Sequence, residues 1–286
     1  MRHAAGLLLL TACSAPATGP GDLPPSLREV SGLAIASAAS VFAHDDESAA
    51  IHEIDLTSGR VIRRFSLGSP PVRGDFEGIA ADSQRIYLIA SDGRLLAASI
   101  GQHGTRVPFE VHDTGAGAEC EIEGLSLAPR PGSLLILCKR VRRGDRTGRL
   151  LIYEWNISAG TPVRRPWLDI DLRDLLGEEQ GAFAPSGIEW VPARRELVMV
   201  SARNRLLLIC DEKGRILGMR RLSATRHPQP EGVAVAASGA LVIADEGRRG
   251  RPARLTVYPP TYLRQVLSSF AETSSTLPMS SKKPAR

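Results

Sequence analysis

The sequence predicts an all-β protein, a β-propeller of four-stranded blades, because a short motif recurs along the chain. At five places an acidic or hydroxyl side chain precedes a glycine and an apolar run, and the glycines are Gly32, Gly78, Gly124, Gly187 and Gly232. Their separations of 46, 46, 63 and 45 residues fit a propeller blade, which repeats about every 40–50 residues. Short apolar runs alternate with Asp-Gly and Ser-Gly turns between the motifs, as in antiparallel hairpins.

The second repeat shows the four strands of a blade most clearly. Residues 78–80, 85–90, 94–100 and 109–112 are apolar runs separated by turn residues. The long interval before Gly187 contains residues 169–180, whose apolar spacing indicates a short helix. We therefore predict a helical insertion between the third and fourth blades. Five blades are favoured, and a sixth blade built from the insertion and the chain ends is the alternative.

Composition sets the boundaries of the predicted domain. The chain has 286 residues, is 43% hydrophobic and only 5% aromatic, so the core must be mainly aliphatic. We place the propeller at residues 27–263, a flexible tether at 13–26 and a disordered tail at 264–286, since both flanking stretches are rich in small and polar residues. The net charge of +5 comes without a nucleic-acid-binding motif, and we predict a monomer with a solvated basic surface.

The N-terminus predicts export and a lipid anchor. Residues 1–12 have a basic start and a short leucine run, as in a signal peptide. The ending Leu10-Thr11-Ala12-Cys13 resembles a bacterial lipobox, which implies cleavage before Cys13 and lipidation of its sulfur. Ser14 after the cysteine favours the outer membrane, with the protein facing the periplasm. An ordinary export signal is the alternative.

Two further cysteines flank a predicted hairpin. Cys120 and Cys138 lie on either side of the turn at residues 129–132, so they should face each other across paired strands. An oxidising periplasm permits a disulfide between them. Two small buried thiols are the alternative.

With the repeats in view, the chain resembles the SdiA-regulated family of bacterial β-propellers and, more distantly, esterase-like propellers associated with phytases. The resemblance rests on residues 29–33, 44–47, 75–79, 121–125, 230–233 and 244–246. It implies a propeller outside the cytoplasm with bound calcium and no established reaction. The chain departs from both families where serine replaces glutamate in the fourth repeat.

The glutamates of the motif are the main site candidates. The first strand of each blade lines the central channel, so Glu77, Glu123 and Glu231 should converge at one end of it. Converging carboxylates raise one another's pKa unless a cation lies between them, and calcium accepts irregular sets of oxygen ligands. Two further candidate ligands, Asp245 and Glu246, end a second strand. The other predicted lining residues are Glu29, Ser31, Asp45, Asp46, Asp75, Ser186 and Glu189.

A structural role is the alternative for these glutamates, which would then lock each blade to the next by accepting hydrogen bonds from backbone amides. We predict a calcium-binding envelope lipoprotein that binds a small ligand or an envelope protein at the channel mouth, without established catalysis. The first functional alternative is a calcium-dependent hydrolase of esters, lactones or phosphoesters, for which Asn204 is the best-placed asparagine. The second is an interaction platform whose basic loops contact anionic lipid or polysaccharide.

Overall fold

The computed structural model describes residues 18–142, 148–173 and 183–275 of the chain. Within these ranges the strands form five sheets, and each sheet has four antiparallel strands. The first strands of the five blades pack against one another in a closed ring, which makes the fold a five-bladed propeller. The predicted fold class and the favoured blade number are thus confirmed.

The strands follow the chain order that the repeats predict. Blade 1 contains β2 (Val30–Ser37), β3 (Ser40–Asp45), β4 (Ser48–Asp55) and β5 (Val61–Leu67), and β5 is extended in parallel by β9 (Arg106–Val107). Blade 2 contains β6 (Phe76–Ala81), β7 (Arg85–Ala90), β8 (Arg94–Ser99) and β10 (Phe109–Asp113). Blade 3 contains β11 (Cys120–Leu127), β12 (Ser133–Val141), β13 (Arg149–Asn156) and β14 (Leu168–Asp171).

The last two blades complete the ring. Blade 4 contains β15 (Gly187–Val191), β16 (Glu196–Ser201), β17 (Leu206–Asp211) and β18 (Ile216–Arg221). Blade 5 contains β19 (Pro230–Val235), β20 (Leu241–Asp245), β21 (Arg254–Tyr258) and, as its outermost strand, β1 (Thr18–Asp22).

The hydrophobic core lies between blades. One buried cluster joins Tyr87 and Ile89 of blade 2 to Leu134, Ile136 and Trp155 of blade 3. Similar clusters lie between the other neighbouring pairs. Alternate residues of the middle strands point to opposite sheet faces and are buried on both, which explains why these strands are nearly continuous apolar runs.

The N-terminal boundary of the propeller differs from the prediction. Residues 18–22, placed in the flexible tether, form β1 and pair with β21 from Thr18↔Val257 to Asp22↔Arg254. Leu23, also in the predicted tether, is buried, as is Leu27 at the predicted start of the propeller. The outer edge of blade 5 needs a partner strand because an open edge leaves backbone groups unpaired. The N-terminal segment supplies that strand and closes the ring.

The C-terminal boundary also differs. Residues 264–275, placed in the disordered tail, belong to helix α1 (Thr261–Ser275). Tyr262, Leu263 and Val266 lie on one face of the helix and are buried, and the helix packs against β18 of blade 4. The Tyr262 ring stacks on Tyr258 at 4.1 Å between centroids. Burial of this apolar face accounts for the order of the segment.

Two further predictions concern the middle of the chain. Of the predicted helical insertion at 169–180, the first three residues belong to β14 and residues 174–182 lie outside the described residues. Cys120 and Cys138 are bonded to each other across β11 and β12, with a Cα–Cα distance of 5.7 Å. Within the described part of the chain, no helix is long and apolar enough to span a membrane.

Candidate functional site

The repeated motif lies at one end of the central channel, because β2, β6, β11, β15 and β19 line the axis and each begins at the motif. We call this end the upper mouth, and its innermost side chains are Ser31, Glu77, Glu123, Ser186 and Glu231. Glycine is needed beside them because the inner strands approach closely. A methyl group on the Gly78 Cα would lie 2.5 Å from the Leu125 nitrogen of the next blade.

A lysine lies among the three glutamates of the upper mouth. Lys139, near the end of β12, donates a hydrogen bond from Nζ to Glu123 Oε1 over 2.5 Å. Its positive charge also acts on Glu77 and Glu231, where it opposes the rise in pKa that burial causes. The other oxygen of Glu123, Oε2, is buried without a hydrogen-bond partner among the described residues. The glutamates therefore converge as predicted, and the positive charge among them is the ammonium group of Lys139.

The protonation of these glutamates is strongly perturbed. Burial and the neighbouring Glu123 and Asp75 raise the pKa of Glu77 to about 8. Burial raises the pKa of Glu123 to about 7, although Lys139 opposes the rise. Burial and Glu246 raise the pKa of Glu231 to about 8. Near neutral pH the upper mouth therefore has proton donors as well as one ammonium group.

The two motif serines have structural contacts. Ser31 Oγ donates to Glu77 Oε2 at 3.1 Å and links blade 1 to blade 2. Ser186 Oγ donates to the Pro230 carbonyl of blade 5 at 2.6 Å and accepts from the Ala202 amide at 3.0 Å. Ser186 thus links blade 4 to blade 5, whereas such a link between blades was the alternative predicted for the glutamates.

Asp245, a predicted metal ligand, is occupied by a buried hydrogen-bond network. Its Oδ2 lies 2.7 Å from His227 Nδ1, and its Oδ1 accepts from the Gln229 amide at 3.2 Å. His227 Nε2 in turn lies 2.6 Å from Tyr258 Oη. His227 and Asp245 are at most 1% exposed. The network fixes the start of β19 to the end of β20, and sequence reasoning missed its histidine.

An acidic cluster lies at the rim of the upper mouth, beside the start of β2 and the end of β3 in blade 1. One carboxylate oxygen from each of Glu29, Asp45 and Asp46 lies within 4.8 Å of the others. Burial and the charges of Asp45 and Glu29 raise the pKa of Asp46 to about 6. Asp46 Oδ1 is buried and has no hydrogen-bond partner among the described residues. Glu246 lies close enough to contribute to the same rise in pKa.

Of the other two predicted lining residues, Asp75 lies beside the upper mouth, where its charge raises the pKa of Glu77, whereas Glu189 lies elsewhere. Asp75 is exposed and accepts a 2.5 Å hydrogen bond from Ser91 Oγ, which holds the ends of β6 and β7 together. Glu189 lies in the middle of β15 and borders a cleft at the opposite mouth of the channel together with Ser126 and Val235. The prediction placed Glu189 beside Ser186, but three residues along a strand span about 10 Å and carry its side chain away from the upper mouth.

A cleft of about 400 Å³ opens from the glutamates towards blades 4 and 5. Glu123, Glu231 and Lys139 form its inner wall. The outer wall combines polar, basic and apolar side chains, among them Phe183, Ser186, Arg203, Gln229 and Arg248. A volume of this size suits a small molecule. The cleft therefore offers proton donors, cations and an apolar surface to one ligand.

No protein-family model matches the chain, and no curated protein matches it. Among solved structures, it is similar to glutaminyl cyclase from Myxococcus xanthus, with 16% identity over 84% of this chain and 94% of that one and a TM-score of 0.54. A PQQ-bound aldose sugar dehydrogenase from Streptomyces coelicolor matches with 13% identity over 86% of this chain and 99% of that one and a TM-score of 0.49. At these identities the likeness concerns the fold alone.

Proposed function

We propose that the protein is a calcium-binding propeller of the bacterial cell envelope that binds a small ligand at its upper mouth. The main observation in support of a calcium site is that Asp46 Oδ1 is buried without a hydrogen-bond partner among the described residues, beside the carboxylates of Glu29 and Asp45. A desolvated carboxylate oxygen without a partner is costly, and a divalent cation would offset that cost. The resemblance to the SdiA-regulated propellers supports the same function.

The acidic cluster fits calcium better than the glutamates at the axis do. Lys139 already supplies a positive charge to Glu77, Glu123 and Glu231, and a divalent ion placed among them would be repelled by the ammonium group. No lysine or arginine of the described residues lies within 4.0 Å of the Asp45 or Asp46 carboxylate, and the Glu29 carboxylate pairs with Arg28 at the surface. When bound, calcium would offset most of the negative charge of the three carboxylates and give the Asp46 oxygen a partner.

Calcium is expected to raise the melting temperature of the wild-type chain from Ser14 onwards by about 5 °C or more relative to chelator. A cation at 100 times its Kd adds about 2.7 kcal/mol to stability, and 1 kcal/mol is worth about 2–4 °C in a domain of this size. Asp46→Asn should abolish this rise. The variant should also have a higher melting temperature than wild type in chelator. It removes a carboxylate that burial and the neighbouring negative charges disfavour in its ionised form.

The matched control for the calcium test is Glu47→Gln. Glu47 is the next residue, is exposed and pairs with Arg73 at the surface, so the variant loses the same charge but should keep the response. Glu231→Gln should keep it too if the acidic cluster is the site. An equal response in wild type and Asp46→Asn, or no response in wild type, would contradict the calcium site.

The direction of the N-terminal strand supports a ligand that arrives from the side away from the membrane. β1 enters blade 5 at Thr18, opposite Val257, and ends at Asp22, opposite Arg254 beside the upper mouth. Cys13 precedes Thr18 by five residues, which span at most about 18 Å. A lipid on Cys13 would therefore hold the opposite mouth towards the membrane and leave the upper mouth facing the periplasm.

Replacing the predicted lipidated cysteine tests the envelope location. Cys13→Ala should move the chain from the membrane fraction to the soluble periplasmic fraction, because multiple acyl chains are what make such anchoring stable. Fractionation of expressing cells, followed by immunodetection, measures the shift. Ser14→Ala serves as the control and should stay with the membranes. Retention of Cys13→Ala in the membrane fraction would show that another feature anchors the protein.

Binding is favoured over hydrolysis by the contacts of Asn204. The hydrolase alternative relied on this asparagine as a further ligand of an axial metal. Its Oδ1 accepts hydrogen bonds from the Ala184 amide at 3.1 Å and from Ser201 Oγ at 2.8 Å, inside blade 4. The amide therefore stabilises the loop before β15, and its oxygen already accepts two hydrogen bonds.

A further inference from the structure

A second cleft, separate from the proposed calcium site, is lined by arginines. It lies at the outer side of blade 5, has a volume of about 440 Å³ and is bordered by the loop between β20 and β21. We call it the arginine cleft, and its basic residues are Arg226, Arg248, Arg249, Arg251 and Arg254. Five guanidinium groups therefore border one concave surface.

The loop that carries these arginines is held in place by backbone hydrogen bonds. Arg248 and Arg251 exchange two of them, with N–O distances of 2.9 and 2.8 Å. The Gly247 amide donates to the Arg28 carbonyl of blade 1, and the Leu23 amide donates to the Ala253 carbonyl, both at 2.7 Å. The Arg248 guanidinium is itself fixed by the Gln229 side chain and the Pro228 carbonyl. The arginine cleft is therefore a preformed surface.

The three carboxylates that border the arginine cleft are fewer than its five arginines. Of the three that border it, Asp245 is bonded to His227 and Gln229, and Glu246 accepts from the Gln229 amide group. Asp22 lies 4.0 Å from Arg254, at the limit of an ion pair. Within the described residues, no carboxylate lies within 4.0 Å of Arg226, Arg249 or Arg251. The cleft keeps an excess of positive charge.

We infer that the arginine cleft binds the phosphate group of a ligand. The planar guanidinium group matches phosphate with two parallel hydrogen bonds, and several such groups around one concave surface favour a compact anionic phosphate group. The volume admits a phosphate together with a small organic group. Two sources share this chemistry, a soluble phosphate ester and the headgroup of an anionic lipid.

The test is calorimetric titration of the chain from Ser14 onwards with inorganic phosphate at low ionic strength. Wild type should bind phosphate, and the double variant Arg249→Gln/Arg251→Gln should bind it at least about tenfold more weakly, since each charge-assisted hydrogen bond contributes to affinity. The matched control is Arg164→Gln/Arg165→Gln, which removes two exposed arginines from blade 3. The control should bind like wild type. Unchanged melting temperatures in chloride buffer verify that both variants are folded.

A parallel arm with vesicles distinguishes the two sources of phosphate. Wild type is mixed with vesicles of phosphatidylcholine alone or with phosphatidylglycerol added, and sedimentation measures binding. Phosphatidylglycerol-dependent binding that Arg249→Gln/Arg251→Gln loses assigns the cleft to lipid headgroups, whereas binding of inorganic phosphate without vesicle binding assigns it to soluble esters. If wild type binds neither probe, or if the control loses binding as much as the cleft variant does, the inference is overturned. Calcium-dependent stabilisation is measured in a separate experiment, so a failure of the calcium prediction does not change the interpretation of the phosphate titration.

Discussion

Gly78→Ala is expected to lower the free energy of unfolding by about 3 kcal/mol or more, beyond the usual range for overpacking substitutions. The added methyl group would meet the backbone of the next inner strand, with the Leu125 nitrogen at 2.5 Å and the Gly124 carbonyl carbon at 2.7 Å. Backbone atoms of a neighbouring blade cannot yield without moving the ring. Equilibrium unfolding in urea would measure the loss.

Gly124→Ala is the matched control from the same motif. A methyl group there would meet only side-chain atoms, Ile188 Cγ2 and Leu137 Cδ2, both at 3.1 Å. These side chains can shift by a few tenths of an ångström, so we expect a loss of less than about 1.5 kcal/mol. Equal losses in the two variants would mean that the motif glycines are required for a reason other than the close approach of inner strands.

The repeats were sufficient to predict the fold because each repeat contains the strands of one blade. An acidic or hydroxyl residue before glycine marks the start of every inner strand, and the apolar runs after it become the middle strands. The closure of the ring was not predictable in this way. β1 reads Thr-Gly-Pro-Gly-Asp, a composition that disfavours strands, and it is a strand because the edge of β21 requires a partner.

The candidate site was predictable only in part for a related reason. The convergence of Glu77, Glu123 and Glu231 follows from propeller geometry, and the structure brings them together at the upper mouth. The position of Lys139 among them depends on the irregular pairing of β11 with β12 around Glu121–Gly124. The sequence repeats do not predict this irregularity. Asp46 resembled the other acids in the sequence. Its distinguishing feature, a buried oxygen without a partner, results from packing between blades.

Lys139→Met is expected to lower the free energy of unfolding by about 2–4 kcal/mol at pH 8. This is somewhat less than the roughly 3–5 kcal/mol for breaking a fully buried ion pair, because the Lys139 side chain is 34% exposed. The Glu123 side chain is 6% exposed and would be left without its ammonium partner. Glu77 and Glu231 would lose an attraction that now lowers their pKa. Chemical denaturation at pH 8 measures the effect, with the neighbouring and more exposed Arg140→Gln as the control.

The loss in Lys139→Met should shrink at pH 5. The pKa values of Glu77, Glu123 and Glu231 are about 8, 7 and 8, so all three carboxyls are largely protonated there and attract the ammonium group little. For the same reason, the contribution of these three groups to the stability of the wild-type chain should fall as the pH rises. The fall begins near about 4.3, the ordinary pKa of a glutamate, and ends above the folded-state pKa values of about 7 and 8. A group whose pKa is raised on folding stabilises the native state most when it is protonated in both states.

A double variant separates charge from packing in this cluster. Lys139→Met/Glu123→Gln removes the ammonium group and the carboxylate together, so it should recover most of the stability that Lys139→Met loses at pH 8, since replacing both members of a buried pair is often close to neutral. If the single variant is equally destabilised at pH 5 and pH 8, and the double variant recovers nothing, Lys139 acts through the packing of its aliphatic chain. Recovery would instead show that the lysine stabilises the protein by balancing the negative charge of Glu123.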